Sequence, residues 1–395
     1  MPVLTPKLAS NIANDIYDLV NFGSADFGFE QFKHTYGSIA NLDRSNIIKA
    51  KTGAAVFIKS RTAFALCFIG KGVYQGHAFI VLRGTKFLAD WLTNLNVGVS
   101  RSVNGQSVHN GFNQAFKSMQ PQLAPFVSGL ISNNIHSIHC IGHSLGGALA
   151  TLCAEHIQLA TKRKPYLYTF GAPRVGLRDF ADTLSINLWP ENIYRVYHRT
   201  DIVPCIPFWP FIHAPSKMSA QYDYYQPSPG DFSSGEYHSM AKYIASVSGQ
   251  SWPALRSRRA SITSDKNIEQ WIFHEKSVSF SVTHLYWLDK AINYVLAKTI
   301  RHLGSLLTVV SGSTFTLMDR LSYILAKGID ISESLSGLVL GLISKIVKML
   351  GLNKTLTQTD LTRGFIRSVF ERLNQRIQAY CRRVLDSALV NGQSS

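Results

Sequence analysis

Cysteine is scarce in this chain, acid is outnumbered, and no apolar run is long enough to cross a bilayer. Each shortage narrows the function. Five cysteines occur in 395 residues, an odd number, and Cys67, Cys140 and Cys153 sit inside apolar runs. That pattern reads as buried thiols and argues against a disulfide framework. No Cys/His spacing suits zinc and no glycine-rich loop suits a phosphate, so no metal and no cofactor is expected. Asp and Glu number 24 against 40 Lys and Arg, a net charge of +16. Such a surplus attracts anionic membranes as readily as nucleic acid. No nucleic-acid module is visible, and the basic residues lack the aromatic interleaving of a stacking surface. A membrane surface is therefore the expected partner, and nucleic acid is not. Residues 337–352 are nearly all apolar but carry Ser344, Lys345 and Lys348. They are too short and too charged to span a bilayer and suit an interfacial helix or a buried hairpin. Met1 to Pro6 lacks the basic start and apolar core of a secretory leader. The expected place of action is the cytoplasm, or beyond it by a leader-independent route, in either case at membranes.

What is present is concentrated in residues 138–150, which read Ile-His-Cys-Ile-Gly-His-Ser-Leu-Gly-Gly-Ala-Leu-Ala. A short apolar strand runs through Gly142-His143-Ser144-Leu145-Gly146 into small, helix-compatible residues. This is the strand–turn–helix context of a nucleophile elbow. Side chains at 142 and 146 would clash with the neighbouring backbone, hence glycine at both. Ser144 is then a candidate nucleophile at the positive end of the following helix.

Such a serine needs a base and an acid downstream, in the order serine, acid, histidine. Asn192 to His198 alternates like a strand and ends at Arg199-Thr200-Asp201-Ile202-Val203-Pro204. Asp201 thus sits past a strand end, where the loops of an open α/β sheet converge. Gly235-Glu236-Tyr237-His238-Ser239-Met240 leads into a helix through Ile244 and Val247, with His238 on the loop before it. Histidine suits the role because its near-neutral pKa lets it take the serine proton and return it. His213 also follows Asp201 and is the rival base. Its spacing from the acid leaves too little chain for another strand to form and return, which favours His238. His109, His143 and His198 read as structural or lining residues. Ala78 to Leu82 reads as a buried strand ending at Arg83-Gly84-Thr85. Backbone N–H groups of Thr85 and Leu145 could converge there as an oxyanion hole, worth about 3 kcal/mol per donor.

These motifs together resemble the class 3 lipases, an α/β-hydrolase family that includes the filamentous-fungal triacylglycerol lipases. The resemblance rests on Val81 to Thr85, Asp90-Trp91-Leu92, Val108 to Phe112 and Gly142 to Ala150. It continues with Thr169 to Gly176, Asp201 to Pro204 and Tyr237 to Met240, so it spans residues 50–250 or so. It implies Ser144 as nucleophile, Asp201 as acid and His238 as base, with Thr85 and Leu145 as the oxyanion hole. Phe211-Ile212-His213 resembles a second histidine motif of the family, which implies a positioning role. Ala214 and Pro215 stand where that motif continues with glycine. The resemblance also implies a lid after Thr85. Phe87, Leu88, Trp91, Leu92 and Leu95 fall on one helical face there.

Alternating strands and helices from Ala54 to Val247 predict a mostly parallel central sheet covered on both faces. Ala55 to Ile58 and Phe64 to Ile69 are early strands, and Asn110 to Ile131 reads as a helix interrupted at Pro121 and Pro125. The expected fold class is α/β: an α/β-hydrolase domain over residues 1–252 with an N-terminal helical wrap. A basic, largely helical C-terminal region follows over residues 253–395. That region carries 19 basic and 10 acidic residues. Residues 362–389 repeat apolar positions at Ile366, Phe370, Leu373, Ile377, Tyr380 and Val384, with arginines opposite. This is an amphipathic helix suited to its own domain, to a protein partner or to a membrane. The expected activity is that of a serine ester hydrolase, a lipase or phospholipase with a lipid substrate. The alternative is a membrane-perturbing or scaffold protein whose lipase-like domain serves for lipid docking.

Overall fold

β-Branched and aromatic residues concentrate in short segments between residues 47 and 226, and most of those segments join one sheet. The structure, a computed structural model, describes residues 3–21, 25–52, 60–84, 98–216, 222–230, 235–258, 264–274, 278–303 and 317–392. The strands are β1 (Ala40–Asn41), β2 (Ile47–Thr52), β3 (Ser60–Gly70), β4 (His77–Leu82), β5 (Val99–Arg101), β6 (Ser107–His109), β7 (Ser137–His143), β8 (Tyr166–Phe170), β9 (Ile193–His198) and β10 (Asp223–Gln226). The main sheet has the order β1-β3-β4-β7-β8-β9-β10, and β2 also pairs with β3. From β4 to β10 every pairing is parallel, while β1, β2 and β3 make an antiparallel edge. β5 and β6 form a separate hairpin. The mostly parallel sheet of an α/β-hydrolase is thus in place. The strand expected at Ala55 to Ile58 lies outside the described residues.

The helices before Ser257 divide between the two faces for a topological reason. They are α1 (Pro6–Asp15), α2 (Asp18–Asn21), α3 (Ala25–Tyr36), α4 (Asn110–Ser132), α5 (Leu145–Thr161), α6 (Arg178–Leu188), α7 (Met240–Val247) and α8 (Trp252–Arg256). Strands β4, β7, β8 and β9 advance across the sheet in one direction, joined through α4, α5 and α6. Crossovers of one hand then place all three helices on one face. Ala78, Ile80 and Leu82 of β4 point to that face, whereas Phe79 and Val81 join the opposite layer with α1, α3, α7 and α8. The N-terminal helices and the two helices that follow the last strand supply the second cover.

One expectation needs correcting. Residues 110–132 form a single helix that Pro121 and Pro125 do not interrupt. A helix-interior proline costs about 3 kcal/mol or more. Phe112, Ala115, Phe116, Met119, Leu123, Val127 and Leu130 are all buried along one face, at roughly 1.5–3 kcal/mol for each large apolar side chain. Both prolines lie on the exposed side, so burial outweighs them.

After Ser257 come α9 (Asp265–Phe273), α10 (Val282–Leu303), α11 (Leu317–Ile331), α12 (Glu333–Met349) and α13 (Arg363–Gly392). Their apolar faces join the same cluster as Ile202, Val203, Ile206 and Phe208 of the sheet region. Arg174 forms a two-pronged ion pair with Asp289 of α10, at 2.8 and 3.0 Å. In α12 Lys345 is buried, its ammonium donating to the His274 carbonyl and lying over the Trp271 ring. The apolar side of α13, from Ile366 to Val384, is buried within the chain. Among the described residues no helix is long and apolar enough to cross a membrane.

Candidate active site

β7 ends at His143, α5 begins at Leu145, and Ser144 makes the turn between them at φ 59°, ψ −131°. A non-glycine residue at positive φ is strained, and surrounding packing must hold it there. The glycines make that packing possible. A Cβ on Gly142 would stand 2.2 Å from the Gly146 carbonyl oxygen, and one on Gly146 would stand 2.1 Å from that of Leu82. A Cβ on Gly147 would meet the Ala172 methyl at 2.5 Å. The tight elbow thus has a steric cause, and Ser144 is left at the N-terminus of a 17-residue helix, where the dipole favours developing negative charge.

Three segments bring their side chains to this serine. Asp201 follows β9, and His238 ends a short 3₁₀ turn, Gly235–His238, that leads into α7. Ser144 Oγ lies 2.9 Å from His238 Nε2, and His238 Nδ1 lies 2.9 Å from Asp201 Oδ2. A carboxylate can only accept, so Nδ1 carries the proton and Nε2 is free to accept from the serine hydroxyl. Asp201 also accepts from the Tyr243 hydroxyl at 2.7 Å and from the Val203 N–H at 2.9 Å. These donors fix the carboxylate plane. Gly171, at φ 57°, makes room for them, since its Cβ would press on Asp201 Oδ2 at 2.8 Å. Ser144, Asp201 and His238 are all buried, so their mutual interactions are little weakened by water.

The remaining histidines separate into supports. His143 Nε2 lies 2.8 Å from the main-chain carbonyl of His238, and its Nδ1 lies 2.8 Å from the Tyr17 hydroxyl. The carbonyl must accept, so His143 donates from Nε2 and accepts from Tyr17. Burial, with the neighbouring His238, holds the His143 pKa well below the usual range and keeps the ring neutral. His198 stacks on Tyr243 and bonds the Tyr237 carbonyl and Ser246. His213 donates from Nε2 to the Pro204 carbonyl at 2.7 Å, so it braces the loop of the acid. It is not in the relay. His109 accepts from the Phe112 N–H at the start of α4, and burial lowers its pKa to about 4.

Leu145 presents a first-turn N–H beside the serine, one of the donors that helix geometry leaves without an intrahelical partner. Gly84 lies across from it: a Cβ there would meet the Tyr17 hydroxyl at 2.3 Å and the His143 carbonyl at 2.8 Å. Thr85 and the lid candidates Phe87, Leu88, Trp91 and Leu92 lie outside the described residues. Tyr17 and Tyr243 are the functional side chains that sequence reasoning missed. Tyr17 is 126 residues from the histidine it supports, and no local pattern marks such a pairing. Tyr243 sits in a helical stripe that reads as core.

Comparison with known proteins finds a family match and several relatives. Residues 79–211 match the family described as lipase (class 3), so the chain carries a class 3 lipase-like region. It is 30% identical over 181 residues to secreted mono- and diacylglycerol lipase 1 of Fusarium solani, covering 45% of this chain and 49% of that protein. It is 30% identical over 149 residues to the chloroplastic phospholipase A(1) DAD1 of Arabidopsis thaliana, 32% of this chain and 33% of that protein. The solved lipase of Rhizopus microsporus var. chinensis has 25% identity and a TM-score of 0.39, over 51% of this chain and 67% of that one. The chain spans about half the length, or less, of these two curated relatives. Nothing in the site or in these comparisons supports a scaffold without catalysis.

Proposed function

We propose that this class 3 lipase-like chain is a serine ester hydrolase that cleaves acyl esters of glycerolipids, as a lipase or phospholipase working at a membrane surface. The observation that carries the proposal is the unbroken relay from Ser144 through His238 to Asp201, with both links at 2.9 Å. In the first step Ser144 Oγ attacks the ester carbonyl carbon and its proton passes to His238 Nε2. Asp201 stabilises the imidazolium and keeps its orientation. The carbonyl oxygen becomes an oxyanion, which the Leu145 N–H and, on the sequence assignment, Thr85 would stabilise. The bond to the alcohol oxygen then breaks, and Nε2 returns the proton to that leaving group. Water attacks the acyl-enzyme by the same route, with His238 first as base and then as acid, and releases the fatty acid.

Similarity to a mono- and diacylglycerol lipase and to a phospholipase A(1) supports a glycerolipid ester. The net charge of +16 favours phospholipid or another bilayer-bound substrate over a neutral droplet. The test is a panel of acyl-chain lengths and headgroups, run on wild type and Ser144→Ala side by side. Wild type should release fatty acid and the variant should not. Equal rates for the two proteins would overturn the nucleophile. Equal wild-type rates on zwitterionic, anionic and neutral particles would overturn the charge preference.

A further inference from the structure

α13 meets the rest of the chain with one face and solvent with the other, and the two faces differ sharply in chemistry. Ile366, Val369, Phe370, Leu373, Ile377, Cys381 and Val384 are buried. This inner face packs against the Gly235–His238 turn that carries the catalytic base. Burial also raises the Cys381 thiol, which senses the charge of Asp201 and the Cys205 thiol nearby. Among the described side chains, from Ile366 to Val384, the apolar face is used inside the molecule, so this stretch offers no greasy side to insert into lipid. Only its outer face is available to a partner.

That outer face is cationic. Arg363, Arg367, Arg372, Arg376, Arg382 and Arg383 are all exposed. Arg363 and Arg367 approach Asp319, and Arg367 also bonds Glu371. Arg372, Arg376 and Arg383 differ. They follow the spacing i, i+4, i+11, with Ala379 between, so they fall on one line along the helix. The line is about 16 Å long at 1.5 Å per residue. Among the described residues no carboxylate pairs with these three. Arg376 also lies over the Phe280 ring, 5.9 Å from its centre, and Tyr380 meets the same ring edge-on. A straight row of guanidinium groups on a convex helix suits a flat anionic surface better than a groove, since each can pair with a separate phosphate.

We propose that the Arg372, Arg376 and Arg383 row of α13 is a docking surface for anionic phospholipid headgroups, next to the turn that holds His238. The proposal rests on the reading of the chain as a glycerolipid hydrolase and names where that enzyme meets its bilayer. The binding is electrostatic and shallow, so it weakens steeply with salt. Each basic side chain near an anionic leaflet contributes about fivefold to affinity, so removing three should weaken binding roughly a hundredfold.

The test measures co-sedimentation of full-length Ser144→Ala protein with vesicles, so that no lipid is consumed. Vesicles of phosphatidylcholine alone are compared with vesicles containing phosphatidylserine. A triple variant, Arg372→Gln, Arg376→Gln and Arg383→Gln, is compared with a control that loses equal charge elsewhere, Lys7→Gln, Lys33→Gln and Lys71→Gln. The expected result is a loss near a hundredfold in the arginine variant on anionic vesicles and a much smaller loss in the control. Equal losses would mean that net charge alone acts, and would overturn the site. So would equal affinity for the two vesicle types, or tighter binding to duplex DNA than to anionic vesicles at the same salt. A variant-independent check is arginine modification by phenylglyoxal, followed by mass spectrometry. Anionic vesicles should protect Arg372, Arg376 and Arg383, and unchanged labelling would overturn the proposal even if the variant failed to fold. Hydrolysis of a water-soluble short-chain ester by wild type, run in parallel, reports on the serine hydrolase reading alone.

Discussion

Glu155 provides a test of the structure that does not depend on any substrate. It lies on α5, the helix that starts at the nucleophile, and is 4% exposed. The Ser102 hydroxyl donates to its Oε1 at 2.6 Å, and the Asn104 N–H donates as well. Both bonds favour the carboxylate, yet burial outweighs them and pushes the pKa from 4.5 up to about 7. At 1.36 kcal/mol per pH unit, this rise corresponds to about 3 kcal/mol. The sign follows from proton counting. Below pH 4.5 both the folded and unfolded chains hold the proton and nothing is lost. Between 4.5 and 7 the unfolded chain releases it while the folded chain keeps it, so stability falls as pH rises. Above 7 the loss is complete. Glu155→Gln removes the titration and keeps an amide oxygen for Ser102. Urea unfolding of both proteins at pH 4 and pH 8 should therefore show the variant gaining about 3 kcal/mol on wild type over that range. Every other titrating group cancels in the difference. A gap that moves by less than about 1 kcal/mol would refute a protonated Glu155 holding the β5–β6 hairpin.

Asp201→Asn preserves shape but not the acceptor that His238 Nδ1 needs, so kcat on a soluble ester should fall about 10⁴-fold; a loss below tenfold would remove Asp201 from the relay. Tyr243→Phe deletes one charge-assisted bond to Asp201 while the Val203 N–H remains. A loss of roughly 1.5–3 kcal/mol is expected, read as about 10- to 150-fold in kcat/KM, and unchanged kinetics would make the tyrosine packing alone. Asp289→Ala leaves the Arg174 guanidinium without its partner at a site where both side chains are about nine-tenths buried. Such a break costs about 3–5 kcal/mol, visible as a lower urea midpoint, and a midpoint within experimental scatter would show that water replaces the carboxylate.

How far the residues announce all this depends on the range of the interaction. The elbow was legible because one short segment carries it: a Cβ at Gly142 would clash with Gly146 inside the turn, and one at Gly146 with Leu82 on the neighbouring strand. Asp201 and His238 were legible because an open sheet delivers strand-end loops to one edge, and chain order then selects among them. Tyr17 and Tyr243 were not, since each is chosen by a partner that only the folded chain brings near. Pro121 and Pro125 misled for a related reason. Proline speaks for local backbone preference, whereas seven buried side chains along the same helix decide the outcome. Lys345 looks like the polar face of residues 337–352 and is instead buried against Trp271 and the His274 carbonyl.

The C-terminal helices bear on catalysis through what they touch. Composition changes after Trp252, but contacts do not stop there. Arg258 bonds Gln226 at the end of β10, at 2.9 Å, and Gln250 at 3.0 Å. Arg174, two residues past the Ala172 methyl that packs on Gly147, reaches across to Asp289. The turn bearing His238 has α7 after it and α13 against it, while His143, itself held by Tyr17, donates to the His238 carbonyl. A general base must keep its ring within a few tenths of an ångström of the serine through two proton transfers. In this chain that constraint comes from the N-terminal wrap, the elbow and the C-terminal helix together. The helix that packs on the turn of the base also carries the arginine row, so the proposed docking surface and the general base share one structural element.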